Sequence, residues 1–432
     1  MNQMTDNPTS VAVAEAPVSA GEAEAFWEKL AAEYGTPFYA YDAVEAQSQV
    51  RHLQSLFPSE ANPRLMYSFK ANPLPSLARE IREAGCEADL TSPGEIEAAR
   101  LAGFDFTKAL YGGPGKSELE LIEALEAGVR QFSIESEPDL RRLASAADRL
   151  EQEVRVLLRI NPMTAPQAKL AMSGVPSQFG FEEDVLRSEG ASLLKGVSSR
   201  VRVVGIHIYW GTQIGDAEAL LSCFESAVTI AEELSEIVGF PLEVLNLGGG
   251  FPWPYSHSGR GDDLLALKEG LKSLFLSSKA AQQAEWWFES GRFAVGSSGT
   301  LVTRVMDLKL SKDDRQFLIL DTGIHHLGGM AGLGRIPRFS IDLEVPNERL
   351  GNDEIQVDVV GQLCTPLDCI GRRIKIPRIE IGDLLRIPNV GAYGLTGSVI
   401  GFLSRRAPAE VVYKNHEVVS VSHIRQGHVE AS

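Results

Sequence analysis

Arg64-Leu65-Met66-Tyr67-Ser68-Phe69-Lys70 is a short, β-rich apolar run that ends on a lysine. Behind it, Leu74, Leu77, Ala78 and Ile81 recur at three-and-four spacing, which lays one helix face against a sheet. A strand feeding an amphipathic helix is one βα unit, and the same alternation continues along the chain. Eight such strands are predicted, at 64–70, 85–92, 108–113, 129–136, 154–162, 201–211, 242–250 and 285–292. Ser92, Ser117 and Ser136 each stand three residues before an acid, the capping-box spacing that marks a strand turning into a helix. Eight parallel strands of this kind close most naturally into a TIM-type (β/α)8 barrel, with an open doubly wound sheet as the alternative.

The helical rhythm stops near Thr300. Residues 301–310, 316–322, 339–345, 354–363, 383–388 and 410–421 read as strands separated by turn residues, an all-β second domain. Thr36-Pro37-Phe38-Tyr39-Ala40-Tyr41 is strand-like and precedes the barrel, so it is expected to pair with that domain. The expected organisation is a disordered tail over 1–24, a segment over 25–44 pairing with the β domain, a barrel over 45–300 and the β domain over 301–432.

Composition limits the function. With 41 basic against 58 acidic residues the net charge is −17, which repels a phosphate backbone and argues against a nucleic-acid partner. No apolar run approaches the roughly 20 residues of a membrane span, and residues 1–20 lack the basic start and apolar centre of a signal peptide. A cytoplasmic protein without membrane contact is expected. Cys86, Cys223, Cys364 and Cys369 show no paired ligand spacing, so no metal site is expected.

Barrel enzymes carry their chemistry at the C-terminal ends of the strands. Standing there are Lys70, Asp89 with Ser92, Arg159, Tyr209 with Thr212, Gly248-Gly249-Gly250, and Glu289 with Arg292. A lysine ending an apolar run either snorkels to solvent or does covalent chemistry; in a desolvated mouth its pKa should fall, freeing an amine for a Schiff base. The glycine triplet lets backbone amides approach an anion, and it follows strand seven, where barrels recurrently bind phosphate. Glu289 reads either as the ion-pair partner of Arg292 or as a carboxylate that keeps a cofactor's ring nitrogen protonated.

Taken in order, Tyr67-Ser68-Phe69-Lys70-Ala71-Asn72, Asp89-Leu90-Thr91-Ser92-Pro93-Gly94-Glu95, Gly205-Ile206-His207, Gly211-Thr212, Gly248-Gly249-Gly250, Glu289-Ser290-Gly291-Arg292, Cys364 with Asp368, and Gly391-Ala392-Tyr393 resemble a known motif series. It is that of the fold-type III pyridoxal 5′-phosphate (PLP) decarboxylases, the family of diaminopimelate and ornithine decarboxylases. The resemblance runs from about Thr36 to Tyr413. It implies the alanine racemase-like architecture of group IV decarboxylases and carboxy-lyase activity on an amino acid. It also implies that Lys70 joins the cofactor covalently, with Asp89 nearby. Arg159, Thr212, Gly248, Gly249, Gly250, Gly291, Arg292 and Tyr393 would hold the cofactor, mainly its phosphate, and Glu289 would contact the ring nitrogen. Tyr209 stands where many relatives stack a histidine on the ring, and His207 reads as a structural hydrogen-bonding residue. Cys364 would protonate the product carbon from a second subunit, which implies a homodimer with shared active sites. Cys364, Asp368 and Tyr393 would meet the substrate.

Three stretches, 172–180, Ile208-Tyr209-Trp210-Gly211-Thr212-Gln213 and Cys364-Thr365-Pro366-Leu367-Asp368-Cys369, resemble the glutamyl-carrier-protein decarboxylases of antibiotic biosynthesis. Relatives acting on free diamino acids carry an acid after the cysteine to hold the distal ammonium, whereas here Thr365 and Pro366 follow. Where relatives place an arginine for a distal carboxylate, this chain has His325-His326-Leu327-Gly328-Gly329-Met330. Both departures point to a substrate whose far end is a thioester or amide. Arg335, Arg338, Arg372, Arg373, Lys375, Arg378, Arg405 and Arg406 are either an ordinary solvated surface or a rim that steers an acidic acyl carrier protein. Decarboxylation of free diaminopimelate, racemisation, and a non-catalytic PLP-binding regulator are the competing readings; racemases of this fold set an arginine, not a glutamate, on the ring nitrogen.

Overall fold

The structure, a computed structural model, describes residues 20–163, 177–261, 263–328 and 340–430. The described chain begins with helix α1 (Ala20–Tyr34) and strand β1 (Phe38–Asp42), then enters the barrel. The barrel strands are β2 (Arg64–Ser68), β3 (Glu87–Leu90), β4 (Leu110–Tyr111), β5 (Gln131–Ile134) and β6 (Val154–Asn161). After a two-residue strand, β7 (Phe181–Glu182), that pairs at the end of β6, the barrel continues with β8 (Val201–Ile208), β9 (Val244–Asn246) and β10 (Glu285–Ser290). Neighbours pair in the order β5-β4-β3-β2-β10-β9-β8-β6, and β5 also pairs with β6. That last pairing closes the ring and excludes the open sheet. All eight strands counted from the sequence are barrel strands.

The alternation of side chains along each strand fills the barrel. Met66, Leu110, Leu157, Val204, Val244 and Trp287 form one buried cluster inside it. The Arg64 guanidinium lies 5.3 Å from the Trp287 ring centroid and pairs with Glu87 and Glu285 at 3.2 and 3.0 Å. Helix starts follow the serine spacing: Ser92 accepts from Glu95 N, Ser136 from Asp139 N, and Ser117 with Glu120 forms a complete capping box.

The second sheet comprises β11 (Gly299–Leu310), β12 (Gln316–Leu320), β13 (Glu354–Val360), β14 (Cys369–Pro377), β15 (Leu384–Ile387), β16 (Ala409–Lys414) and β17 (Glu417–His423). Its order is β14-β13-β12-β11-β1-β16-β17, with β15 on β11. β1 lies antiparallel to β11 and parallel to β16, so the segment before the barrel is built into the domain after it.

Four expectations need correction. Residues 20–24 belong to helix α1, not to a disordered tail, while residues 1–19 lie outside the described residues. Phe26 and Leu30, one turn apart, pack on Phe38, Val302, Leu384 and Val411, and Glu24 pairs with Arg386 at 3.0 Å. Of the strand expected at 339–345, Phe339 lies outside the described residues, and the rest makes only one bridge, Glu344 to Arg386. The expected strand at 410–421 is a hairpin of two, β16 and β17. β14 is a strand although its sequence suggests only a charge run, because Arg372, Arg373 and Lys375 fill it. Among the described residues, no helix is long and apolar enough to cross a membrane.

Candidate active site

Lys70 sits in a single 3-10 turn, Phe69–Ala71, directly after β2. Asp89 lies one residue before the end of β3, Arg159 lies near the end of β6, Tyr209 and Thr212 follow β8, Glu289 lies in β10, and Tyr393 comes from the β domain. These seven side chains line one cavity of about 560 Å³, a size for a cofactor with a small substrate. An adjoining recess is lined by Ser68, Gly250, Phe251, Ser290, Gly291 and Arg292.

The charges of this site are strongly coupled. Lys70 is open to the cavity yet set deep in the protein. Burial opposes its charge, but Asp89 foremost, with Tyr393, Tyr209 and Glu289, outweighs burial and holds the ammonium above the ordinary lysine range. The expected fall in its pKa is therefore reversed. Burial, and next the charge of Glu289, push Asp89 up to about 6 against the pull of Lys70 and a 2.7 Å hydrogen bond from Ser68 Oγ. Burial also works to raise Glu289, but His207, Lys70 and Asn246 overcome it and hold that carboxyl down at about 2. His207 Nε2 lies 3.1 Å from Glu289 Oε1, and Asn246 Nδ2 donates to the same oxygen at 2.9 Å. The other ring nitrogen of His207 is 2.8 Å from Ser133 Oγ. Two carboxyls in one cleft are thus driven apart in pKa, the pattern of groups with different tasks.

Glu289 does not pair with Arg292. The Arg292 guanidinium instead lies 4.9 Å from the Tyr393 ring centroid and 5.7 Å from that of Tyr255. Its Nε and the Ser290 Oγ are buried without a hydrogen-bond partner among the described residues. Buried donors left open in this way are costly unless a ligand supplies the acceptor. A Cβ at Gly291 would meet the Ala71 Cβ at 2.7 Å, so the turn carrying Lys70 and the end of β10 approach as only glycine permits.

Of the glycine triplet, Gly250 lines the recess. Gly248, at φ +68°, donates its N–H to Asn246 Oδ1 at 2.9 Å and accepts from Glu289 N at 2.8 Å. A Cβ on Gly249 would stand 2.3 Å from the Glu289 carbonyl oxygen. These two glycines press the loop against β10 and so hold Glu289 in place. Arg159 is held by Glu135 at 2.7 Å and lies 4.9 Å from the Phe179 ring centroid, so its charge is already matched.

Cys364 is exposed and lines neither cavity of the single chain. Asp368, expected at the substrate, is buried, and its carboxylate accepts from Ile324 N at 2.9 Å and Leu363 N at 2.7 Å. It shapes the loop that carries Cys364. Of the carrier-type stretches, 172–176 lies outside the described residues, as do Gly329, Met330, Arg335 and Arg338. Sequence reasoning missed Ser68, Ser290, Asn246 and Glu135. Asn246-Leu247-Gly248 carries a readable signal, because an asparagine two residues before a glycine favours a side-chain-to-backbone turn.

The residues present fit PLP: an amine at Lys70, a carboxylate held ionised at Glu289, and open buried donors at Arg292 and Ser290 for an anion. Residues 44–296 match the family model described as pyridoxal-dependent decarboxylase, pyridoxal binding domain. The chain is 32% identical over 396 residues to an L-glutamyl-BtrI acyl-carrier protein decarboxylase of Niallia circulans, covering 89% of this chain and 90% of that one. It is 30% identical over 395 residues to a diaminopimelate decarboxylase of Aquifex aeolicus, with 90% of each covered. Among solved structures, diaminopimelate decarboxylase of Methanocaldococcus jannaschii in complex with L-lysine superposes with a TM-score of 0.81 at 25% identity, covering 90% of both chains. With the closed barrel, the β domain and this lysine-carboxylate-arginine arrangement, the chain belongs to the pyridoxal-dependent decarboxylases, the PLP carboxy-lyases of fold type III.

Proposed function

We propose that the protein removes the α-carboxyl group of an amino acid, glutamate or a close analogue, whose distal carboxyl is joined to an acyl carrier protein. The observation that carries this reading is the commitment of the cleft's acids. Asp89 faces Lys70 and Ser68, Glu289 is tied to His207 and Asn246, and Thr365 follows Cys364. Among the described residues that line the cleft, no carboxylate is left for the distal ammonium of a free diamino acid. Leu110, Gly112, Gly113, Pro114 and Phe179 supply apolar and backbone wall instead, which suits a neutral thioester arm. The similarity to the glutamyl-carrier relative supports the same substrate class.

Bound PLP supplies a sink for the electron pair left when CO2 departs. Lys70 would provide the amine that holds it, and Glu289, ionised at neutral pH, would keep a proton on the ring nitrogen. Arg292, Ser290 and the Gly250 loop would bind the phosphate. Loss of CO2 leaves Cα needing one proton. We assign that proton to the Cys364 thiol of a partner subunit in a homodimer; the thiol is exposed in a single chain, and Leu367 beside it is 75% exposed.

The test is CO2 release from L-glutamyl carrier protein, free glutamate and free diaminopimelate. Carrier-bound glutamate should be preferred, and faster turnover of free diaminopimelate would refute the substrate. Mixing the inactive variants Lys70→Ala and Cys364→Ala should restore part of the activity through hybrid dimers. No restoration would refute the shared site.

A further inference from the structure

We infer that a basic groove between the turn Phe402–Ser404 and the chain after β17 is the docking site for the acidic face of the carrier protein. This rests on the carrier-bound reading above and adds to it where the partner sits. Arg405, Arg406, His423, Arg425 and His428 line the groove, and no acidic residue is among its lining residues. All five are exposed.

Two features separate this groove from an ordinary solvated surface. Several arginines of the β domain are neutralised, Arg349 by Glu380 and Asp383, Arg386 by Glu24 and Glu344, and Arg315 by Asp358, while Arg373 and Arg378 line a pocket that Asp314, Glu354 and Asp358 share. Among the described residues, no carboxylate lies within ion-pair distance of Arg405, Arg406 or Arg425; the contact of Arg405 is the neutral Gln362, whose Oε1 accepts from Nη1 at 2.9 Å. The second feature is the setting. In a chain of net charge −17, an acidic partner is repelled by the body and is received only where positive charge stands uncompensated.

The groove is also continuous with both segments that serve the active site. Gln362, held by Arg405, is two residues before Cys364. The Arg406 carbonyl is 3.2 Å from His326 Nε2. Ser398 donates to the Gly394 carbonyl at 2.7 Å and accepts from Gly328 N at 2.7 Å, which ties the groove's turn to the chain next to Tyr393. A carrier seated here lies on the same piece of backbone that delivers Tyr393 to the cleft. A nucleic acid or an anionic membrane fits less well, because the molecule as a whole carries a net charge of −17.

The holoenzyme is assayed with an L-glutamyl thioester on a recombinant acyl carrier protein and with the same thioester on N-acetylcysteamine. Arg406→Glu with Arg425→Glu should lower kcat/KM on the carrier substrate by about 10- to 100-fold and abolish its salt dependence, while the small thioester changes less than about 2-fold. The milder pair Arg406→Ala with Arg425→Ala should lose about 3- to 10-fold on the carrier alone. Carrier kinetics unchanged in both pairs would overturn the groove and leave the carrier-bound reading standing. A wild-type enzyme that ignores the carrier substrate would overturn both. Equal losses on both thioesters, an altered oligomeric state of the variants by light scattering, or tighter binding of heparin or anionic vesicles than of the carrier would each reassign the groove and overturn the inference.

Discussion

Replacing Glu289 with Gln removes one charge while keeping the side-chain length. Its neighbours hold this carboxyl at about 2, well below the ordinary carboxylate range, so at neutral pH the wild-type side chain carries a charge that the variant lacks. What catalysis loses is the charge-assisted hydrogen bond to the ring nitrogen, about 1.5–3 kcal/mol, or roughly 10- to 150-fold in kcat/KM. A second effect reaches Asp89. After burial, the charge of Glu289 is the largest cause holding Asp89 up at about 6. Removing a neighbouring negative charge favours the ionised form, so Asp89 should lose its proton at lower pH. The acid limb of the rate profile should then move down by about one unit. The assay is CO2 release across pH, with circular dichroism to show an intact fold. A wild-type rate, or an acid limb that stays put or moves up, would refute the assignment of Glu289 as the ionised partner.

Lys70→Ala should abolish turnover and the absorbance band of enzyme-bound cofactor; a wild-type spectrum would exclude Lys70 as the attachment point. Gly249→Ala forces a Cβ to within 2.3 Å of the Glu289 carbonyl oxygen, where backbone cannot yield, and should cost about 1–3 kcal/mol in chemical denaturation. An unchanged midpoint would contradict the close packing of this loop. Burial pushes Glu410 up to about 7, with Tyr41 Oη donating to it at 3.3 Å. Between about 4.5 and 7 the folded chain therefore holds a proton that the unfolded chain has lost, and stability falls as pH rises through that window. Glu410→Gln should remove this fall, stabilising the protein by about 1–3 kcal/mol near pH 8 and changing little near pH 5. Equal thermal shifts at both pH values would refute it.

The barrel was legible because its strands obey local rules. Each is a short apolar run with a helix or a turn behind it, three of those helices start at a capping serine, and the alternation repeats eight times. Lys70, Asp89, Glu289 and Arg292 could be placed because a strand end is a position that periodicity alone locates. What stayed hidden depends on contacts between distant segments. Helix α1 is rich in alanine and glutamate, and its place becomes clear only when Phe26 and Leu30 meet β1, β11 and β16. The exposed positions of β14 carry so many cations that period two is masked. Gly248 and Gly249 have the composition of an anion loop, but the Gly248 amide is bonded to Asn246 and a Cβ on Gly249 would meet the Glu289 carbonyl, which the spacing does not reveal. Asp368 likewise looks like a ligand in sequence and is a loop organiser in three dimensions.

The arrangement of charge across the cleft argues for the orientation of what it binds. Asp89 and Glu289 lie on the side of Lys70, and the network Ser133-His207-Glu289-Asn246 holds the second of them negative. Arg292 and Ser290 carry open donors with no carboxylate to answer them. A ligand that is anionic at one end and cationic at a ring nitrogen satisfies both halves in one orientation; turned around, it would set anion against anion and leave the donors buried and unpaired. Because Asn246 bonds both Glu289 and the Gly248 amide, the carboxylate and the loop that ends in Gly250 are positioned by one side chain. The distance between the two ends of the site is therefore set by the fold before any ligand arrives, and that preorganisation lets weak individual contacts select a single binding mode.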